Sequence, residues 1–244
     1  YMIIQRILMV VFSLIFLQIW EINGIILGYT LSFTIFSFLV FKGFKEGKID
    51  FKLLRTRTNF IVSSYVTHVL AISSVSIDKM LIFPLFGASV LGPYQLGFQI
   101  YIVLLILPKI VAQYTLPHDA SGFRNISLKK YTVISAGIIT GFTIVLSPIL
   151  VPEIFPKYME SIEIIQIMAI AVVPATLSLI FTSELLGNEN SKSVAISSLF
   201  SIVSLSAGIL LLGDILGLIG MAISLVIAKS LECLVLYILK NKSE

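Results

Sequence analysis

Residues 74–83 read SVSIDKMLIF, which puts Asp78 beside Lys79 in a setting otherwise fit for lipid. The apolar run holding them extends from Asn59 to Phe86, ample for the roughly 17–25 residues that a membrane-crossing helix needs. An Asp or Lys at the middle of such a helix costs about 2.5–3.5 kcal/mol on insertion scales, so the pair is expected to face a bundle interior or a wet cavity. Neighbours in sequence point about 100° apart on a helix, so each charge is expected to need a different partner, or water. Around them Ser63, Thr67, Ser74 and Asp78 fall on one stripe, and Ser64, His68 and Lys79 on the adjoining one.

Outward from this run the pattern repeats. Of the 244 residues, 57% are hydrophobic and 12% charged, more apolar than an ordinary soluble domain. Eight spans are expected: Met2–Trp20, Gly24–Phe41, Asn59–Phe86, Tyr94–Leu116, Lys130–Leu150, Ser161–Leu186, Ser191–Leu212 and Ile215–Leu239. The breaks carry Gly, Pro, Asn, Asp or charge, as in PHDASGFRN (117–125), VPEIFPKY (151–158) and GNEN (187–190). The fold class expected is therefore all-α, a polytopic bundle of transmembrane helices. Such a chain leaves no room for a soluble catalytic domain.

The net charge of +4 comes from 17 Lys and Arg against 13 Asp and Glu. These cations lie between apolar runs and form no single patch, which argues against nucleic acid. Alternate loops sort them. Lys42, Lys45, Lys48, Lys52, Arg55, Arg57, Arg124, Lys129, Lys130, Lys192, Lys240 and Lys242 fall on one side with Arg6, whereas Lys157 is the cation of the other. By the excess of basic residues on cytoplasmic flanks, both ends of this chain are expected to be cytoplasmic. The stretch Lys42–Arg57 is the one long charged connection and is expected to separate two structural units.

Other polar groups lie inside the spans. Gln95, Gln99 and Gln113 share a stripe of the fourth span, with Lys109 near it. Lys229 and Glu232 stand three residues apart, and Glu184 lies near a span end; these are read as locally paired or snorkelling. Pro108 and Pro174 are expected to kink their helices. Gly137 with Gly141, and Gly220 with Ser224 and Ala228, have the small-residue spacing of close helix packing, and Ser193, Ser197, Ser201 and Ser204 line one face. The lone Cys233 excludes an internal disulfide framework and a multi-cysteine metal site. No P-loop, HExxH or GxSxG motif is present, so neither an enzyme, a cofactor nor a metal is expected.

From the third span onward the chain resembles the polysaccharide and oligosaccharide-lipid flippases, the Wzx-like group of the multidrug/oligosaccharidyl-lipid/polysaccharide exporter superfamily. The matching stretches are IDKMLIFPLFG (77–87), LGPYQLGFQI (91–100), a span with Pro108 that ends at Pro117, IFPKY (154–158), ELLGNENSKSVA (184–195) and GLIGMAISLVIAK (217–229). Pro93 and the His118–Asp119 pair depart from the pattern. The resemblance implies that the spans are the fifth to twelfth of a twelve-helix core whose two six-helix lobes rock around a central cavity. On that reading residues 1–44 are the last two helices of an incomplete N-terminal lobe, 45–58 a basic cytoplasmic linker, and 59–244 the six-helix C-terminal transport lobe. The implied activity is to flip lipid-linked oligosaccharide or polysaccharide precursors across the cell membrane during polysaccharide biosynthesis. A cation-coupled multidrug exporter of the same superfamily and an inactive transporter fragment are the alternatives. Implied partners are a lipid-linked sugar phosphate or pyrophosphate, membrane lipids and glycan assembly enzymes. The candidate substrate-binding residues are Lys79, Asp78, His68, Gln95, Gln99 and Lys109, with Lys79 cationic toward the phosphate and the glutamines toward sugar hydroxyls.

Overall fold

A computed structural model describes residues 2–46, 58–122 and 125–243. The chain divides into two compact units, Tyr1–Thr58 and Asn59–Glu244. Most of the expected linker, 45–58, lies outside the described residues.

The first unit is built on α1 (Met2–Glu46), whose helical hydrogen bonding is interrupted by non-helical backbone at Trp20 and Glu21, the latter at φ 49°. The chain turns back on itself there. Gly24 faces the Phe16 carbonyl so closely that a side chain would overlap it, and a Cβ at Gly28 would sit 2.6 Å from Ser13 N. The two halves are therefore an antiparallel pair whose backbones touch through glycine. Ile22, Ile26 and Phe38 point outward, 74%, 61% and 60% exposed, as a surface suited to lipid requires.

The second unit contains α2 (Thr58–Phe86), α3 (Ala88–Leu104), α4 (Ile106–Ala120), α5 (Ile126–Ile154), a short 3-10 turn at Pro156–Tyr158, α6 (Ser161–Ile170), α7 (Val172–Gly187) and α8 (Ser191–Ser243). Two of its passes are broken, and proline explains both. Pro108 has no N–H to give Leu104 and Pro174 none for Ile170, and those two residues are where α3 and α6 end. Between α3 and α4 the axis bends by 42°. In α8 the reversal is at Gly217, φ 59°, a conformation open to glycine, so its 53 residues also form a hairpin. With both hairpins counted by halves, the described helices make eight passes, six of them in this unit.

The broken pass α6–α7 is central, packing on α3, α4, α5 and α8. Met168, Val172 and Ala175 from it meet Tyr94, Phe98 and Tyr101 of α3 and Met221, Leu225 and Ala228 of α8 in one apolar core. Ser197, Ser201 and Ser224 are buried as well, so the small residues of α8 do face inward.

Three expectations are corrected. Gly137 and Gly141 mark no contact among the described residues: both are exposed, with nothing there within 4 Å of an added Cβ, because α5 turns Ala136 and Thr140 inward instead. The glutamine stripe assumed a single helix, and the bend at Leu105 divides it; Gln99 and Gln113 are exposed. Glu184 is neither locally paired nor snorkelling, since it is buried and bonded to Lys129, 55 residues away in sequence.

The glycines give a first prediction. A Cβ at Gly220 would overlap the Leu212 carbonyl across the hairpin. Gly220→Leu should lower stability by at least about 1–3 kcal/mol, whereas Gly137→Ala should be neutral or slightly stabilising, since Ala is favoured over Gly within a helix. Thermal unfolding in detergent checks this, and equal melting points for the two variants would contradict the hairpin.

Candidate functional site

The charges at 78 and 79 meet after all. Asp78 is fully buried, and its Oδ1 and Oδ2 lie 2.9 and 3.2 Å from Lys79 Nζ. The expectation of separate partners rested on Cβ directions, but four methylenes let the lysine curl back. Its ammonium sits over Phe98, with Nζ 3.6 Å from the ring centroid, within cation–π range. Asp78 Oδ1 also accepts from the Lys79 backbone N–H at 2.8 Å, and Oδ2 from the Tyr94 hydroxyl at 2.9 Å. Tyr94 and Phe98 are one turn apart on α3, so a single face of that helix holds both charges of α2 in place.

Further along α3, Tyr101 stacks obliquely on Phe98, ring centroids 5.8 Å apart, and opens onto a cavity of about 260 Å³. Besides Tyr101 itself, its polar lining comes from three helices: Lys109 at the start of α4, Ser178 and Thr182 on α7, and Lys229 and Glu232 on α8. Lys229 Nζ donates to Glu232 Oε2 at 2.7 Å, the local pair that the spacing predicted, and the Ser201 hydroxyl donates to the same oxygen at 3.0 Å. Lys229 is within electrostatic reach of Lys109, Tyr101 and Asp78. Two lysines against one glutamate leave the lining net positive. Among the described residues, Ser178 Oγ is buried there with no hydrogen-bond partner beyond the Cys233 sulphur.

The candidate residues thus separate into groups. Asp78 and Lys79 form the buried pair, and Lys109 reaches the cavity edge. Gln95 is half-buried next to Tyr94, its Oε1 buried without a hydrogen bond. Gln99 is exposed and does not line the cavity. The side chain of His68 lies outside the described residues, as do those of Ser63, Ser64, Thr67 and Ser74 in its polar stripe. Sequence reasoning missed Tyr94, Tyr101, Ser178 and Thr182. An aromatic every three to four residues, at 94, 98 and 101, was the available signal for the first two.

The arrangement is suited to receiving an anion. An anionic group entering the cavity would find Lys109 and Lys229 with hydroxyls from Ser178, Thr182 and Tyr101 around them. The volume is below the roughly 300–1,000 Å³ of pockets that enclose a whole small molecule, which suits one group of a larger ligand.

No family model and no curated protein matches the sequence. Among solved structures, the crystal structure of a point mutant of the Vibrio cholerae MATE transporter VcmN is similar, with a TM-score of 0.73 at 13% sequence identity. The match covers 98% of this chain and 60% of that one, so the chain spans less than two thirds of that transporter's length. At this identity the likeness is one of fold alone: the chain's helical arrangement is similar to that of part of that transporter.

Proposed function

We propose that this chain belongs to a membrane transporter that flips lipid-linked oligosaccharide or polysaccharide precursors by alternating access, with the cavity of the second unit receiving the phosphate or pyrophosphate of the lipid carrier. The observation that carries this reading is the net positive lining, Lys109 and Lys229 against Glu232, in a cavity whose remaining walls are largely apolar. Burying unneeded cations in a membrane is costly, and an anionic ligand would offset that cost. Ser178, Thr182 and Tyr101 would hydrogen-bond phosphate or sugar oxygens, while the lipid tail stays in the bilayer. The Wzx-like resemblance of residues 77–229 points the same way, and glycan assembly enzymes are the partners that would supply the substrate. Both ends of the chain lie in the cytoplasm on this reading.

A second reading has one observation of its own. Asp78 is fully buried and held by Lys79 and Tyr94, as a carboxylate coupling transport to a cation would be, which fits a cation-coupled multidrug exporter of the same superfamily. Substrate charge separates the two.

The test is translocation by a chimaera joining this chain to the first four helices of a flippase, because a lobe and two helices are expected to bind substrate but not to seal a cavity. The chimaera should restore glycan export to flippase-deficient cells and confer no resistance to cationic drugs. Drug resistance without glycan export would favour the second reading. Orientation is checked separately: a cysteine at Lys157 should react with an impermeant thiol reagent in intact cells and one at Lys192 should not, and the reverse pattern would overturn the assigned sidedness.

A further inference from the structure

Apart from the cavity, four charged side chains remote in sequence meet inside the second unit. Lys129 Nζ donates to Asp119 Oδ1 at 2.6 Å and to Glu184 Oε1 at 2.9 Å, and Lys240 Nζ lies 2.6 Å from Glu184 Oε2. The Ser183 hydroxyl donates to Asp119 Oδ2 at 2.7 Å and is itself 3.2 Å from that of Thr115. Asp119, Lys129, Glu184, Ser183 and Thr115 are all buried. Lys240 also rests over the Phe181 ring, 5.2 Å from its centroid.

Three of these charges oppose the helices that carry them. Asp119 is in the last turn of α4 and Glu184 in the last turn of α7, where the partial negative charge of a helix end repels a carboxylate. Lys129 is in the first turn of α5, where the partial positive charge repels a cation. Local helix electrostatics would not choose these places; their mutual pairing does. The backbones also meet here, since a Cβ at Gly187 would lie 2.9 Å from Ala120 N and 3.0 Å from Asp119 Cβ.

Three of the four helices that line the cavity are tied together here; α3 lines it without joining the network, and α5 joins the network without lining it. Lys109 is on α4, Ser178 and Thr182 on α7, and Lys229 and Glu232 on α8, and each of the three helices ends in the network. Thr182 immediately precedes Ser183. We propose that the Asp119–Lys129–Glu184–Lys240 network is a clamp that holds the cavity closed at this end of the unit, and that its release opens the cavity to water and solutes from that end. The claim is independent of which substrate the cavity takes.

The experiment uses the full chain in lipid nanodiscs, with Cys233→Ala and Ser178→Cys so that one thiol reports from the cavity wall. Its rate of alkylation by a charged, water-soluble maleimide is measured. Lys129→Met, which leaves two carboxylates without their shared cation, should raise that rate about tenfold or more, while Lys129→Arg should leave it within about twofold. Gly187→Ala keeps every charge and wedges the ends of α4 and α7 apart, and it should raise the rate as well. In a parallel series Ile209→Cys replaces Ser178→Cys as a control thiol in the core, and its rate should not change. Two results would overturn the clamp: an unchanged Ser178→Cys rate, or a rise that Ile209→Cys matches, which makes the network a support for the fold alone. Should Lys129→Met fail to accumulate, the Gly187→Ala outcome decides by the same criteria.

Discussion

Lys79→Gln should deplete folded protein from the membrane and abolish transport together, whereas Asp78→Asn/Lys79→Gln should recover the protein and leave transport lost. The reason is that Asp78 is fully buried and shares its charge with Lys79, the Tyr94 hydroxyl being its neutral partner. Removing the cation strands a buried carboxylate, which costs about 3–5 kcal/mol, while neutralising both members is often close to neutral. In the double variant, the amide that replaces the carboxylate can still accept from Tyr94, so packing against α3 survives. What the double variant lacks is the cation over Phe98 and the Asp78 charge that lies within electrostatic reach of Lys229. Membrane abundance measured beside translocation distinguishes the two losses. Abundant, active Lys79→Gln protein would show that the pair is not what holds α2 against α3, and a double variant that transports normally would reduce the pair to a fold support.

Lys229→Gln should weaken binding of an anionic head group by about 1.5–3 kcal/mol, roughly ten- to a hundredfold, the usual cost of one lost hydrogen bond to a charged partner. Glu232→Gln should act in the opposite sense, because the carboxylate competes with the ligand for Lys229 at 2.7 Å. Ser201 would still find an acceptor in the amide oxygen of the substituted side chain, so the wall need not collapse. For a cationic substrate both signs reverse: loss of Lys229 would strengthen binding and loss of Glu232 would weaken it. Titrating the two variants with the same anionic lipid therefore decides between the readings by sign, even if magnitudes shift with the bilayer chosen.

How much of this was legible in the sequence depends on what each signal encodes. Apolar run length located the passes, and the missing N–H of Pro108 and of Pro174 located two breaks, because both are local properties of the chain. Helix periodicity also put Asp78 and Lys79 on adjoining stripes. It erred on their pairing because periodicity gives the direction of Cβ, and Lys79 Nζ stands four methylenes farther out, free to return over Phe98. Gly137 and Gly141 failed for a related reason: GxxxG spacing records that small residues share a face, not which way that face turns. The clamp was unreadable since Asp119 lies within a stretch that scans as a loop and Lys129 just beyond it, and Glu184 looked like any polar residue near a helix end. Only the meeting of α4, α5, α7 and α8 makes them one group. Gln95 and Gln99 show the same limit on a single helix, one half-buried and the other exposed one turn later.

The central claim, that the net positive cavity receives the phosphate of a lipid-linked sugar, is tested most directly by binding. The purified chain in nanodiscs would be titrated with a polyprenyl-pyrophosphate oligosaccharide, and with the same polyprenol bearing the sugar but no phosphate, with thermal stabilisation as the readout. The account predicts stabilisation by the pyrophosphate form that is lost in Lys109→Gln/Lys229→Gln and absent for the phosphate-free lipid. Equal stabilisation by both lipids, or stabilisation by the pyrophosphate form that survives loss of both lysines, would contradict it.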